Sequence, residues 1–321
     1  MPSAFHWTGR QDPEDGDLAK RWHQIITQTP VEGTVASLIG FACDLGVERN
    51  KGRVGAAKGP EAIRKALCNL AWHDESGTVC DSGDIPVDRA RQTSLEAAQK
   101  ALGDRISTML SQTPRVIVLG GGHETAAGSV RGLLEHLRTE PESRIGIINL
   151  DAHFDLRKPG VEGISSGTPF YQAREMLQEK GQDLRYLCLG ISETGNTKAL
   201  FKRCEDWGFR YLPDHAVRPH LLDSVFAEID SFLQDCDYLY LTLDLDVLPH
   251  WQMPAVSAPS AHGVPLEVLE DIIRYLGTRD VKWLLSDLVE FNPEYDTDNR
   301  GARVAARLCH TILQAMKAKA P

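Results

Sequence analysis

Short apolar runs alternate along this chain with longer segments whose apolar positions recur at helical spacing. The runs read as strands at Val35 to Ala42, Val116 to Leu119, Arg144 to Leu150, Arg185 to Leu189, Tyr238 to Leu243 and Lys282 to Leu288. The helical pattern falls on Pro60 to Ala71, Ser94 to Leu110, Thr125 to Arg138, Pro169 to Glu179, Lys198 to Trp207, Leu221 to Leu233, Leu266 to Leu276 and Ala302 to Lys317. Pro60 and Pro265 stand where a first-turn proline starts a helix. Such alternation predicts β-α-β units, and the nearly unbroken apolar strands predict a sheet covered on both faces. The expected fold is α/β, three layers (α/β/α) around a central parallel, doubly wound sheet. No repeat, low-complexity tract or Pro/Ser-rich linker is present. Residues 35–321 are therefore expected to form a single domain, with the polar, irregular residues 1–34 as an extension packed on it.

In open parallel sheets ligands bind beyond the carboxyl ends of the strands. Three of the apolar runs end there in metal-type residues. One leads into Asp151-Ala152-His153-Phe154-Asp155, a second into Asp244-Leu245-Asp246, and a third into Gly120-Gly121-Gly122-His123-Glu124. In an extended backbone, positions i, i+2 and i+4 share a side, so Asp151, His153 and Asp155 are expected to converge on one point. Taken singly, a His after a glycine run is as easily a strand-to-helix turn, and an Asp-x-Asp is often only a helix cap. Together, four aspartates and two histidines exceed what one catalytic zinc takes. They suit two divalent cations about 3.5–4 Å apart, which would render the water between them acidic at neutral pH. Oxygen-rich ligation favours a hard ion such as Mn²⁺, with iron, nickel and cobalt compatible by ligand type. Asp155, last in its motif, is the expected proton acceptor. Glu290, at the end of a fourth strand, reads either as a contact for a cationic substrate group or as a loop carboxylate paired with Arg300 or Arg303.

Composition narrows the partners. The chain has 321 residues, 42% of them hydrophobic and 25% charged, with a net charge of −10, which speaks against nucleic acid or an anionic membrane. No apolar stretch approaches the ~18 residues of a membrane span. The first ten residues lack the basic start and apolar core of an export signal, so the cytoplasm is the expected setting. Seven scattered cysteines with no C-x-x-C pair point to buried thiols rather than a disulfide framework.

The motifs resemble a known family. Gly-Gly-x-His, Asp-Ala-His-x-Asp and Asp244-Leu245-Asp246-Val247-Leu248-Pro249 are similar to the ureohydrolases: arginases, agmatinases and formimidoylglutamases. Gly55-Ala56-Ala57-Lys58-Gly59-Pro60-Glu61-Ala62-Ile63-Arg64 resembles their amino-terminal signature. The likeness implies an arginase-like fold, two Mn²⁺ per subunit and hydrolysis of a C–N bond in an amidine or guanidine. The metal ligands it implies are His123, Asp151, His153, Asp155, Asp244 and Asp246, with Glu290 on the amidine nitrogens. It also carries an expectation of homo-oligomers.

Within the family the details look like the formimidoylglutamases. Arginases and agmatinases read Gly-Gly-Asp-His-Ser where this chain has Gly-Gly-Gly-His-Glu, and His-Gly where it has Ser166-Gly167. His153 to Arg157 and Asp296-x-Asp298-Asn299-Arg300 are similar to that subfamily as well. Ala255 departs from it, standing where Gly is usual before Val256. The implied reaction is hydrolysis of N-formimidoyl-L-glutamate to L-glutamate and formamide, a step of histidine degradation. Such an anionic amidine needs donors at the cleft mouth, and Arg157, Ser166 and Asn196 are the candidates. The alternatives are the same chemistry on a guanidino compound, releasing urea, or a metal-free scaffold on the same fold.

Overall fold

A computed structural model describes residues 5–74, 77–87 and 93–318. Its strands are β1 (Ile26–Thr27), β2 (Thr34–Phe41), β3 (Thr78–Ile85), β4 (Val116–Leu119), β5 (Ile145–Leu150), β6 (Arg185–Ile191), β7 (Arg210–Pro213), β8 (Tyr238–Asp244) and β9 (Lys282–Val289). Its helices are α1 (Trp22–Ile25), α2 (Leu45–Arg49), α3 (Gly59–Leu67), α4 (Leu95–Leu110), α5 (Thr125–His136), α6 (Pro169–Gln178), α7 (Lys198–Asp206), α8 (Leu222–Leu233), α9 (Leu266–Leu276) and α10 (Arg300–Lys317). The nine strands form one sheet in the order β1-β3-β2-β4-β9-β8-β5-β6-β7. Every strand pairing is parallel. None of the described helices is long and apolar enough to cross a membrane.

The apolar runs are explained by what lies on each side of the sheet. Along β8, Leu239, Leu241 and Leu243 join a core with α3, α8, α9 and α10. The intervening Tyr238 and Tyr240 join the other core, with α4, α5, α6 and α7. β4 divides in the same way, Ile117 and Leu119 to one face, Val116 and Val118 to the other. A strand whose alternate positions both meet helices has no polar face to show. This gives the three expected layers and the doubly wound parallel sheet.

Strand order decides where chemistry can occur. The chain lays down β2, β3 and β4 on one side, then jumps to β5 and winds outward through β6 and β7. β8 and β9 return to fill the gap between β4 and β5. The carboxyl ends of β4, β9, β8 and β5 thus stand side by side at the point where the winding reverses, where open α/β sheets bind ligands.

Three strands were not apparent from the hydrophobic pattern. β3 reads Thr-Val-Cys-Asp-Ser-Gly-Asp-Ile, with two charges that no apolar run would include. They are tolerated because the buried Arg64 of α3 pairs with Asp81 at 2.9 Å and with Asp84 at 2.5 Å. β7 is a half-buried edge strand, and β1 has only two residues. α3 stops at Leu67 rather than running to Ala71. The reason is that residues 68–72 turn aside to pair with the amino-terminal segment, where Trp22 N–H donates to Leu70 O at 3.0 Å and Trp72 N–H to Lys20 O at 2.8 Å. Trp22 itself is fully buried, edge-on to Trp72, with its indole N–H 3.0 Å from His310 Nδ1. Replacing Trp22 with Ala is expected to cost about 3–5 kcal/mol, as for other large core side chains. Urea unfolding measures this, and a loss below about 1 kcal/mol would place the segment outside the core.

Candidate metal centre

The glycine run after β4 exists so that two loops can touch. A Cβ on Gly121 would lie 1.8 Å from Cys43 O, and one on Gly122 would lie 2.1 Å from Glu124 Oε2. With no side chains there, Gly122 N–H donates to Cys43 O at 3.0 Å, and Glu290 N–H donates to Gly121 O at 2.7 Å. His123 is thereby fixed between the ends of β4 and β9 and is almost fully buried. Its Nε2 lies 3.0 Å from the hydroxyl of Thr242 on β8. Its Nδ1 faces three carboxylates: Asp155 Oδ2 at 2.9 Å, Asp151 Oδ2 at 3.1 Å and Asp244 Oδ2 at 3.1 Å.

All six expected ligands come together, around two points. His123, Asp151, Asp155 and Asp244 form one set; Asp151, His153 and Asp246 form a second that shares Asp151. His153 Nδ1 lies 3.0 Å from Asp246 Oδ2. The single point expected for Asp151, His153 and Asp155 required an extended backbone, and the chain leaves that geometry. β5 ends at Leu150, and Asp155 has a left-handed φ of 49°. His153 is turned to one set and Asp155 to the other. Asp244 both caps and faces the site, since its Oδ1 accepts the Asp246 N–H at 2.8 Å while Oδ2 points at His123.

The residues fit a divalent cation. Three oxygens stand about 3 Å from His123 Nδ1, yet that nitrogen makes no hydrogen bond with any of them. Donors about 2.1 Å from one octahedral ion are themselves about 3 Å apart. Asp246 Oδ1 is likewise buried without a partner. Charge gives the same answer. Burial drives Asp244 well above the usual carboxylate range, with repulsion from Asp246 and Asp151 added, and lifts Asp246 to about 6. Burial would lower the His123 imidazole, but its contacts with Asp151, Asp155 and Asp244 outweigh that and raise it. His153 is raised against the same burial by Asp246 and Asp151. The cluster is short of positive charge, and the imidazoles are drawn upon to supply it.

The remaining expected residues border the same cleft, a cavity of about 140 Å³ also lined by Asn50, Gly195 and Ser257. A larger groove of about 1090 Å³ opens at the amino-terminal edge of the sheet, away from the metal-type donors, so volume alone does not locate the site. Glu290 has a left-handed φ of 67°. One of its oxygens accepts the His123 N–H at 2.8 Å, and the other, Oε2, is buried with no partner. Among the described residues no ion pair joins it to Arg300 or Arg303, so the loop-carboxylate alternative lacks its partner. Arg157 is exposed, makes no ion pair with a described residue, and is the one Lys or Arg among the cleft's lining residues. Ser166 is buried beside it. Asn196 has a different part from the one expected. Its amide donates to Ala152 O at 2.9 Å and Ser192 O at 2.8 Å, and its carbonyl accepts from Phe154 N at 3.1 Å. With those groups spent on backbone, Asn196 braces the 151–155 segment. Asn50, at the end of α2, escaped the sequence reading because only the close approach of Cys43 to Gly121 brings that helix to the cleft.

A fold and site of this kind define a metal-dependent hydrolase of the ureohydrolase type, and the chain belongs to the arginase family, matching it over residues 35–314. The similar proteins are formimidoylglutamases. That of Aeromonas salmonicida is 50% identical over 309 residues, covering 95% of this chain and 96% of the relative. That of Chromobacterium violaceum is 45% identical, covering 97% and 98%. Among solved structures, the Trypanosoma cruzi formiminoglutamase with Mn²⁺ superposes with a TM-score of 0.81 at 26% identity, covering 94% of this chain and all (100%) of that one. The Bacillus subtilis arginase, at 24% identity and a TM-score of 0.72 over 87% of this chain, shares the fold.

The pKa directions predict how metal-free protein responds to pH. A carboxyl raised from 3.8 to about 6, as at Asp246, binds more protons folded than unfolded, so its stabilisation is lost as pH rises through that window. Imidazoles raised above 6.5 lose theirs as pH climbs further. Asp151, held below its usual value chiefly by His123 and His153 against burial, acts in the opposite sense only at more acidic pH. Chelator-stripped protein is therefore expected to melt at lower temperature at about pH 8 than at about pH 5, with the gain from added Mn²⁺ growing over the same interval. Scanning calorimetry with and without metal decides it, and a metal-free midpoint that rises with pH contradicts it. Asp244→Asn is expected to reduce bound manganese while leaving stripped protein at least as stable, because it removes one crowded carboxylate.

Proposed function

We propose that this chain is a binuclear-manganese hydrolase that cleaves N-formimidoyl-L-glutamate with water to L-glutamate and formamide, in histidine degradation. The observation that carries the reading is a pair of ligand sets sharing Asp151, at a cleft also lined by Glu290, with one oxygen free, and by Arg157, which makes no ion pair among the described residues. Likeness over almost the whole chain to formimidoylglutamases supports the choice of substrate. Two Mn²⁺ ions held by His123, Asp151, His153, Asp155, Asp244 and Asp246 would supply an acidic water as nucleophile and a Lewis acid for the developing charge.

The chain's own groups supply the rest. Glu290 Oε2 accepts hydrogen bonds from the amidine N–H groups and holds the formimidoyl carbon in the cleft. Asp155 takes a proton from the attacking water and delivers it to the glutamate nitrogen as the C–N bond breaks. The water oxygen stays with the carbon, which leaves as formamide. Arg157 pairs with a substrate carboxylate, and Ser166 and Asn50 offer polar contacts beside it. Residues 35–321 act as the catalytic domain, and of the amino-terminal extension the described residues 5–34 add Trp22 and β1 to it. Seven free, buried cysteines support a reducing, cytoplasmic setting. Homo-oligomers are an expectation from the family alone.

Assay of formamide and urea on formimidoylglutamate, agmatine, arginine and guanidinobutyrate tests the substrate. Formamide from the first is expected; urea from a guanidino compound with no turnover of the first reverses the reading. Arg157→Ala is expected to raise KM about 10-fold or more with kcat little changed, since a lost charge-assisted hydrogen bond costs about 1.5–3 kcal/mol. Gly167→Ala should reproduce part of that loss without touching a charge, because its Cβ would stand 2.8 Å from Arg157 Cδ. A fall in kcat at constant KM in either variant would place Arg157 in the chemical step instead.

A further inference from the structure

Behind His123, on the side away from the cleft, the interior holds a carboxylate that the mechanism leaves unused. Asp287 on β9 is fully buried and has no cationic partner among the described residues. Its neighbours are hydroxyls. Ser129 Oγ on α5 donates to Asp287 Oδ2 at 2.8 Å, and the Tyr240 hydroxyl on β8 donates to the same oxygen. The other oxygen, Oδ1, is buried and takes no donor at hydrogen-bond geometry. Thr242 is the cross-strand register partner of Asp287, and its hydroxyl is the group placed to supply one. That same hydroxyl lies 3.0 Å from His123 Nε2.

The hydroxyl has one proton to give and lone pairs to offer. If its proton goes to Asp287, its oxygen is left to accept from His123 Nε2–H. The imidazole proton is then held on Nε2, and Nδ1 is left with its lone pair for a cation held among the three carboxylates 2.9–3.1 Å away. An apolar side chain at position 242 or a neutral amide at 287 would remove that bias. We propose that Thr242 and Asp287 are positioning residues that set the tautomer and orientation of His123 and so tighten metal binding. Replacing the group that accepts the second N–H of a ligand imidazole typically changes metal affinity by about 10–100-fold. A purely structural reading of Asp287, as a polar knot among β8, β9 and α5, accounts for Ser129 and Tyr240. It gives no reason for a hydroxyl at 242 that lies 3.0 Å from the imidazole on the strand position registered with the carboxylate.

The proposal rests on His123 being a metal ligand, so His123→Asn is measured beside the others. Stripped protein is titrated with Mn²⁺, and the free ion is followed by electron paramagnetic resonance. Urea unfolding of the same stripped variants serves as the control for folding. Thr242→Val is expected to bind Mn²⁺ about 10–100-fold more weakly, and Thr242→Ser to stay within about threefold of the unmodified protein. Asp287→Asn is expected to weaken binding similarly, and the Thr242→Val/Asp287→Asn pair to lose no more than the larger single loss, as groups in series should. Unchanged affinity in Thr242→Val while His123→Asn loses metal overturns the relay alone. Losses that add in the double variant overturn it as well. Full affinity in His123→Asn overturns the ligand assignment and the relay with it.

Discussion

Everything at the carboxyl edge of this sheet answers to one electrostatic problem: four aspartates, two imidazoles and a glutamate held within a few ångströms and mostly out of water. Burial without a counter-charge is expensive, and a group so placed gives up its charge rather than bear the cost. The raised proton affinities of Asp244, Asp246 and Glu290 show that tendency in the protein alone, burial being the leading cause in each. A domain of ordinary stability has only about 5–15 kcal/mol to spare. Cations bound there would complete such a cluster, and the fold and the ions would then belong to one thermodynamic system.

The strand order is what makes the cluster possible, and close backbone contacts are what hold it. Four adjacent strands deliver one motif each, and no other run of neighbours in this sheet does so. Two of the delivered residues, Asp155 and Glu290, adopt left-handed backbone conformations that cost a non-glycine residue of order 1–3 kcal/mol. For Glu290 the compensation is visible: its N–H is tied to Gly121 O and its Oε1 to the His123 N–H. Oε2 takes no part in those bonds and is left buried without a partner in a residue that lines the cleft. The glycines after β4 serve the same end, since a single Cβ at 121 would force apart the loops that carry Cys43 and Gly121.

How much of this could be read from the sequence depends on the range over which each feature is decided. Asp151, His153 and Asp155 were legible because spacing by two beyond an apolar strand is a local fact. Their division between two ligand sets was not, since it follows from one left-handed residue and from neighbours on β8. Asn196 looked like a substrate donor by its place near the cleft. Only the positions of Ala152 O and Ser192 O reveal that its hydrogens are spent. β3 stayed hidden because its charges are neutralised by Arg64, which is distant in sequence and buried by α3 packing. Residues whose role is set by their own strand could be found; residues whose role is set by a contact across the fold could not.

Substrate choice in such a family separates from its chemistry for the same reason. The metal-type residues are locked into the sheet and its first turns, where any change disturbs the charge balance of the whole cluster. The mouth is built differently. Arg157 emerges from the loop after β5, its backbone N–H tied to Gly167 O at 2.9 Å and its stem lying where a Gly167 side chain would be. A side chain at 167 would both displace the guanidinium and occupy its place. Gly167 is common to the Ser166-Gly167 pair of this chain and the His-Gly of arginases and agmatinases, so the room it leaves does not by itself set the substrate. What sets it is the charge placed in that room: Arg157 is a cation at the rim, and a cation there favours a substrate that arrives with carboxylates over one that arrives with a guanidinium.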